Sequence, residues 1–140
     1  MIDVGNKKVT ERKAQAQAFV RLSEDVLQRI KAREVPKGDV IEQARIAGIM
    51  AAKKTPELIP LCHTINVEHV EIEFAVEGSG IRIISTVKAS AKTGVEMEAL
   101  VAASTAALTV YDMCKMFGQR MEISDIFLIE KTGGKSDYHR

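Results

Sequence analysis

Aromatic residues are scarce in this chain. They make up 4% of 140 positions, and there is no tryptophan. That excludes the basic, aromatic-studded surfaces on which nucleic acid bases stack, so no nucleic-acid partner is expected. Excess charge of one sign is also missing. Twenty Lys and Arg stand against nineteen Asp and Glu, a net charge of +1, so any anion site must come from local clustering. The two cysteines, Cys62 and Cys114, form no C-x-x-C pair, which fits reduced thiols in a cytoplasm rather than a disulfide scaffold. His63, His69 and His139 share no metal-ligand spacing. No apolar run is long enough to span a bilayer, and the opening MIDVGNKKVT lacks the apolar core of a secretory leader. Neither a membrane partner nor export is expected. There are no internal repeats. What is present, 46% hydrophobic and 28% charged residues, suits one globular domain spanning 1–140 with a sizeable core.

Taken in order, residues 1–14 are polar and without apolar period, and are expected to form a flexible arm. Gln15 to Leu22 alternates as a short strand. Ser23 then caps a helix with Glu24 and Asp25 in its first turn, ending near Glu34 before Pro36. Asp39 and Glu42 have the spacing of a second N-terminal box, opening a helix to about Lys54. Thr55-Pro56-Glu57 predicts a short helical turn closed by Pro60, leaving Leu61-Cys62-His63 on a constrained loop. Val67 to Glu77 and Ile81 to Ala89 alternate as two strands joined by a Gly78-Ser79-Gly80 hairpin. Met121 to Glu130 is a further strand, and residues 131–140 a flexible basic tail. This order fits an α+β fold of ferredoxin-like type, a four-stranded antiparallel sheet with helices on one face.

Between the last two strands lies the longest uninterrupted stretch. From Val95 to Met116 there is neither Gly nor Pro, so a helix runs through, with Thr93 and Glu96 spaced as its capping box. At 100° per residue, Met97, Leu100, Ala103, Ser104, Ala107, Leu108, Tyr111 and Cys114 form the predicted core face. Glu98, Ala102, Thr105, Thr109 and Asp112 line a second seam of small residues between two carboxylates, suited to close helix contact. Glu98 and Asp112 stand about 21 Å apart along the axis. One active site rarely reaches that far, so two antiparallel copies sharing a site across a two-fold axis are the reading this spacing suggests.

Several residue groups could carry chemistry. Lys37 sits beside a helix N-terminus, where anions bind, although a capped turn with a solvated lysine is the commoner meaning of such a triplet. His63, held after a proline-bounded turn, can exchange a proton near neutral pH, or can simply be packed. Glu96 is accounted for as a capping acid, whereas Glu98 on the small-residue seam is not. Asp112 and Lys115, three apart, make either an ordinary surface pair or a carboxylate-tuned general acid or base. Lys131-Thr132-Gly133-Gly134-Lys135 could present backbone N–H groups to phosphate, but lacks the spacing of a P-loop. Together these suit a phosphorylated substrate and proton transfers.

KGDVIEQARIAGIMAAKKTPELIPLCH, TGVEMEALVAASTAALTVYDMCK, KTGGKS and the N-terminal IDVGNK and TERKA resemble the molybdenum cofactor biosynthesis protein C family, the cyclic pyranopterin monophosphate synthases. The resemblance runs from Ile2 to Ser136. It implies a cytoplasmic lyase of ferredoxin-like fold that converts a cyclised dihydro-GTP to cyclic pyranopterin monophosphate with loss of pyrophosphate. It further implies a homohexamer, a trimer of dimers, with the active site at the dimer interface. By motif, Asp112, Lys115 and Lys37 match catalytic positions. Leu61, Cys62, His63, Glu96, Met97 and Glu98 match substrate-binding positions, and Arg12, Lys131 and Lys135 match phosphate-facing ones. No resident cofactor or protein metal site is implied, and the sequence leaves open whether Mg²⁺ escorts the triphosphate. Two positions depart from the family pattern: Thr64 stands where proline usually follows LCH, and Asp137 where GGKS is usually followed by glycine. The competing readings are a nucleotide-binding regulatory module on the same scaffold and a purely structural oligomer.

Overall fold

Alternating alanines in the first strand set the architecture. The computed structural model describes residues 1–118 and 120–140. Strand β1 (Thr10–Arg21) turns Ala14, Ala16, Ala18 and Val20 to one face, all fully buried. Helices α1 (Glu24–Lys31), α2 (Val40–Lys53) and the single turn α3 (Thr55–Leu58) follow. Next come β2 (His69–Glu77), β3 (Gly80–Ala91), α4 (Glu96–Cys114), β4 (Glu122–Thr132) and the two-residue β5 (Tyr138–His139). The sheet order is β2-β3-β1-β4-β5 with every pairing antiparallel. This is the expected ferredoxin-like α+β arrangement with one short strand added at the β4 edge.

Ile81, Ile83, Ser85, Val87 and Ala89 of β3 continue the buried face beside the alanines of β1. Small side chains there let α4 settle close to the sheet, where Ser85 Oγ donates to the Ala99 carbonyl at 2.6 Å. Gly48 of α2 sits equally close to α4. A Cβ there would stand 3.0 Å from the Ala102 carbonyl oxygen. The two helices therefore pack on the same face of the sheet at close range, and their ends carry the candidate groups.

Several local expectations hold. Ser23 Oγ accepts the Val26 N–H at 3.4 Å, and Asp39 Oδ1 accepts the Glu42 N–H at 3.1 Å, so both helix starts are capped as the spacing predicts. Others need correction. The segment read as an arm over 1–14 is already strand from Thr10, because Arg12 and Lys13 pair with Ala89 and Lys88 of β3, and the Lys13 ammonium pairs with Glu130 of β4. The segment read as a tail over 131–140 begins inside β4 and returns as β5, through Glu130↔His139 and Lys131↔Tyr138. No capping box starts α4. Val95 occupies the cap position without a side-chain bond, and the Glu96 carboxylate turns to Lys131 instead.

The predicted core face of α4 is also rotated. The residues buried are Glu98, Ala99, Ala102, Ala103, Ala106, Ala107, Val110, Met113 and Cys114, whereas Leu108 is 59% exposed and Tyr111 37%. Alanine carries so little apolar weight that the larger side chains dominate the periodicity, yet five alanines make up most of the face buried against the sheet and α2.

Candidate active site

Lys37, in the turn before α2, reaches across to the last turn of α4. Its Nζ donates to Asp112 Oδ2 at 2.8 Å and to the Asp112 backbone carbonyl at 2.9 Å. Lys115, one residue past α4, approaches Asp112 Oδ1 at 2.7 Å. One carboxylate therefore holds two ammonium groups, one on each oxygen. Hydrogen bonds first from Lys115 and then from Lys37 pull the Asp112 carboxyl down to about 2, and the same contact pushes the Lys115 ammonium above its ordinary range. All three side chains are solvent-exposed, so the cluster presents two ammonium groups and a carboxylate that stays ionised.

The other end of α4 is built differently. Pro56 stands in the first turn of α3 and Pro60 just past its end, and the Cys62 N–H bonds the Ile59 carbonyl at 3.1 Å, so Leu61, Cys62 and His63 leave the turn in a defined direction. Cys62 and His63 form one wall of a cavity of about 250 Å³, with Glu96, Met97 and Glu98 from α4 opposite. Glu98 is 3% exposed and has no ion-pair partner among the described residues. Burial, with a smaller contribution from Glu96, raises its carboxyl pKa, and burial and Glu98 together raise that of the Cys62 thiol.

Beside this cavity lies a polar one of about 240 Å³, lined by Lys7, Arg12, Lys131 and Lys135, with Glu96 on the shared wall. Lys131 Nζ stands 3.2 Å from Glu96 Oε1. Arg12 is anchored by its Nε and Nη2 on the carbonyls of Ala91 and Lys92, each at 3.3 Å. Gly133 makes the basic loop possible: its φ is +87°, and any Cβ would collide with the Glu11 carbonyl oxygen. Thr10 Oγ1 donates to the Gly133 carbonyl and Asp137 Oδ1 accepts its N–H, at 2.7 and 3.1 Å. The departing residue Asp137 thus closes the loop, with its carboxylate on a backbone donor that an anion could otherwise use.

The sequence-derived residues therefore fall into two groups. Lys37, Asp112 and Lys115 meet at the C-terminal end of α4. Leu61, Cys62, His63, Glu96, Met97, Glu98, Arg12, Lys131 and Lys135 gather at its N-terminal end, Leu61 being 69% exposed at the rim. Glu98 and Asp112 are about 21 Å apart along the helix, so one chain does not bring the groups together.

The seam that was expected to meet a second copy is occupied within the chain. Ala102 lies against Gly48, Asp112 reaches Lys37, and Glu98 faces the loop after α3. The stripe of α4 left outside these contacts runs through Val101, Ser104, Leu108 and Tyr111, spaced three, four and three apart, with Leu108 and Tyr111 exposed. Lys7, a wall of both cavities, was missed because it lay in the segment read as a featureless arm. Its place at the end of the quoted IDVGNK motif was the available signal. Among the described residues no three His, Cys, Asp or Glu side chains are grouped to hold a metal ion.

Comparison with known proteins follows the same residues. The model of the MoaC family matches residues 1–134. A cyclic pyranopterin monophosphate synthase of Herpetosiphon aurantiacus is 56% identical over 136 residues, covering 96% of this chain and 83% of the relative. One of Chloroflexus aggregans is 52% identical over 143 residues, covering 100% and 87%. One of Peptoclostridium acidaminophilum is 49% identical over 141 residues, covering 100% and 90%.

Proposed function

This chain belongs to the MoaC family, and from that membership we propose that it is a cyclic pyranopterin monophosphate synthase. It acts in molybdenum cofactor biosynthesis as one domain, a lyase that takes a cyclised dihydro-GTP to cyclic pyranopterin monophosphate and pyrophosphate. The observation that carries the chemistry is the Lys37–Asp112–Lys115 cluster, two ammonium groups on one carboxylate at 2.8 and 2.7 Å. Opening a purine ring and closing a pterin require repeated proton transfers, and paired lysines held by an ionised aspartate supply and receive them.

The other end of α4 suits binding. The cavity between His63 and Glu98 takes the heterocycle, whose N–H groups meet carboxylate acceptors. Lys7, Arg12, Lys131 and Lys135 take the phosphates and offset the charge that grows on departing pyrophosphate. No resident cofactor enters this scheme, and any Mg²⁺ arrives on the triphosphate.

Because the two groups lie at opposite ends of one helix, the working site joins the lysine cluster of one subunit to the binding cavity of another. The outward stripe through Leu108 and Tyr111 offers the contact surface, and the assembly is a hexamer of three such dimers. No helix among the described residues is long and apolar enough to cross a membrane. With Cys62 and Cys114 both free thiols, we place the protein in the cytoplasm.

Purified protein given the cyclised dihydro-GTP should release pyrophosphate and form the pyranopterin together. Lys115→Ala should abolish both without changing the oligomer. Binding without turnover by the unsubstituted protein would overturn the enzyme reading in favour of a nucleotide-binding regulatory module.

A further inference from the structure

The first nine residues have no regular structure, yet they are held. His63 Nε2 lies 2.6 Å from the Ile2 carbonyl oxygen, and Lys92 Nζ donates to the Gly5 carbonyl at 2.8 Å. Between these latches the arm is folded on itself. Asp3 Oδ1 accepts the Gly5 N–H at 2.7 Å, and the Lys7 N–H bonds the Val4 carbonyl at 3.0 Å. Ile2 and Val4 line the cavity of His63 and Glu98, and Lys7 borders both that cavity and the basic one beside it. The Lys92 backbone meanwhile accepts from Arg12 Nη2 at 3.3 Å, so one residue holds both the arm and the arginine of the phosphate-facing wall.

We propose that this N-terminal segment is a strap forming one wall of the substrate site, and that Lys92 is the positioning residue that holds it there. Two consequences follow. A carbonyl oxygen only accepts, so the contact with Ile2 requires His63 to carry its proton on Nε2, leaving Nδ1 of the neutral ring as the acceptor. The strap thereby selects the tautomer of a side chain that faces the substrate cavity. Lys7 stands two residues beyond the Gly5 carbonyl that Lys92 grips, and the intervening turn transmits that grip, so Lys92 places the Lys7 ammonium group through the backbone as well as bonding the Arg12 guanidinium. Lys92 does not line the basic cavity itself; it acts through the strap.

The test combines Lys92→Met, Lys92→Arg and a variant lacking residues 2–4, each checked for unchanged circular dichroism and thermal midpoint. Nitrogen-15 NMR of the His63 ring reads the tautomer without any substrate. The unsubstituted protein should show the Nε2–H form. The deletion should convert it to a mixture, and Lys92→Met should shift it in the same direction. In the synthase assay, Lys92→Met should raise KM about tenfold, equivalent to about 1.4 kcal/mol, with kcat within about twofold and substantial recovery in Lys92→Arg.

An unchanged His63 tautomer in the deletion variant, or an unchanged KM in Lys92→Met, overturns the proposal. Only the KM measurement rests on the synthase reading. A protein that does not turn over the cyclised nucleotide but shows the tautomer change would sink that reading and leave the strap standing.

Discussion

Asp112 keeps its two lysines in register by staying ionised over the whole working range. Its carboxyl lies near 2, so the contribution of this cluster to folding is complete above the ordinary aspartate value of 3.8 and is lost progressively as pH falls from there through about 2. Lys115 is affected in the opposite sense. Its pKa is raised, so it stays protonated further into alkaline solution than a free lysine, the form in which an ammonium group can donate a proton. Asp112→Asn removes the charge that sustains this. The alkaline limb of the pH–kcat profile should move to lower pH, and kcat at neutral pH should fall by about 10²-fold or more. A profile whose alkaline limb stays in place would show that the limb belongs to another group. Glu98 is the counterpart in the binding cavity: burial rather than an ion-pair partner sets its proton affinity.

At the scale of elements, the distance between α2 and α4 fixes where both groups of residues point. Gly48 is the point of closest approach. A Cβ there would meet the Ala102 carbonyl oxygen at 3.0 Å and Ile72 Cδ1 at 3.2 Å. Gly48→Ala gains about 1 kcal/mol of helix propensity, but it must push apart two helices already seated on the sheet, an overpacking cost of about 1–3 kcal/mol. The backbone oxygen has no rotamer by which to retreat, so the second effect wins. Denaturant unfolding should show a net loss of about 1 kcal/mol. The same displacement should weaken the Lys37–Asp112 contact and lower kcat. A stabilised variant would mean that the helices slide without cost.

For the whole molecule, the separation along α4 makes a quantitative demand. If the lysine cluster and the binding cavity serve one reaction, each must come from a different subunit. Lys115→Ala and His63→Ala should each be inactive alone. Co-refolded in equal amounts, they should regain about one quarter of normal activity, since half of random dimers are mixed and one of their two sites is intact. Activity that does not return on co-refolding, while mixed oligomers form, would refute the shared site. Equal recovery from two variants within one group, such as Lys37→Ala with Lys115→Ala, would refute it as well.

Much of this molecule was legible in its residues taken alone. The alternation in β2 and β3, the Ser23 and Asp39 caps and the Gly78-Ser79 turn are decided by interactions within a few positions, which local sequence specifies fully. The candidate residues were legible as well, because each belongs to a motif whose residue types are chemically uncommon in that order. The rotation of the α4 core face was not, since alanines are buried there for want of room beneath the helix rather than for their hydrophobicity. Nor was the fate of Glu96, whose cap geometry was outcompeted by Lys131 on a strand far along the chain. The N-terminal segment looked featureless because its contacts, with His63 and Lys92, lie dozens of residues away. Sequence by itself determined the elements, their order and the chemical inventory of the site. Only the tertiary structure decided which groups meet, because ion pairs and helix faces depend on separations between elements that no local pattern encodes.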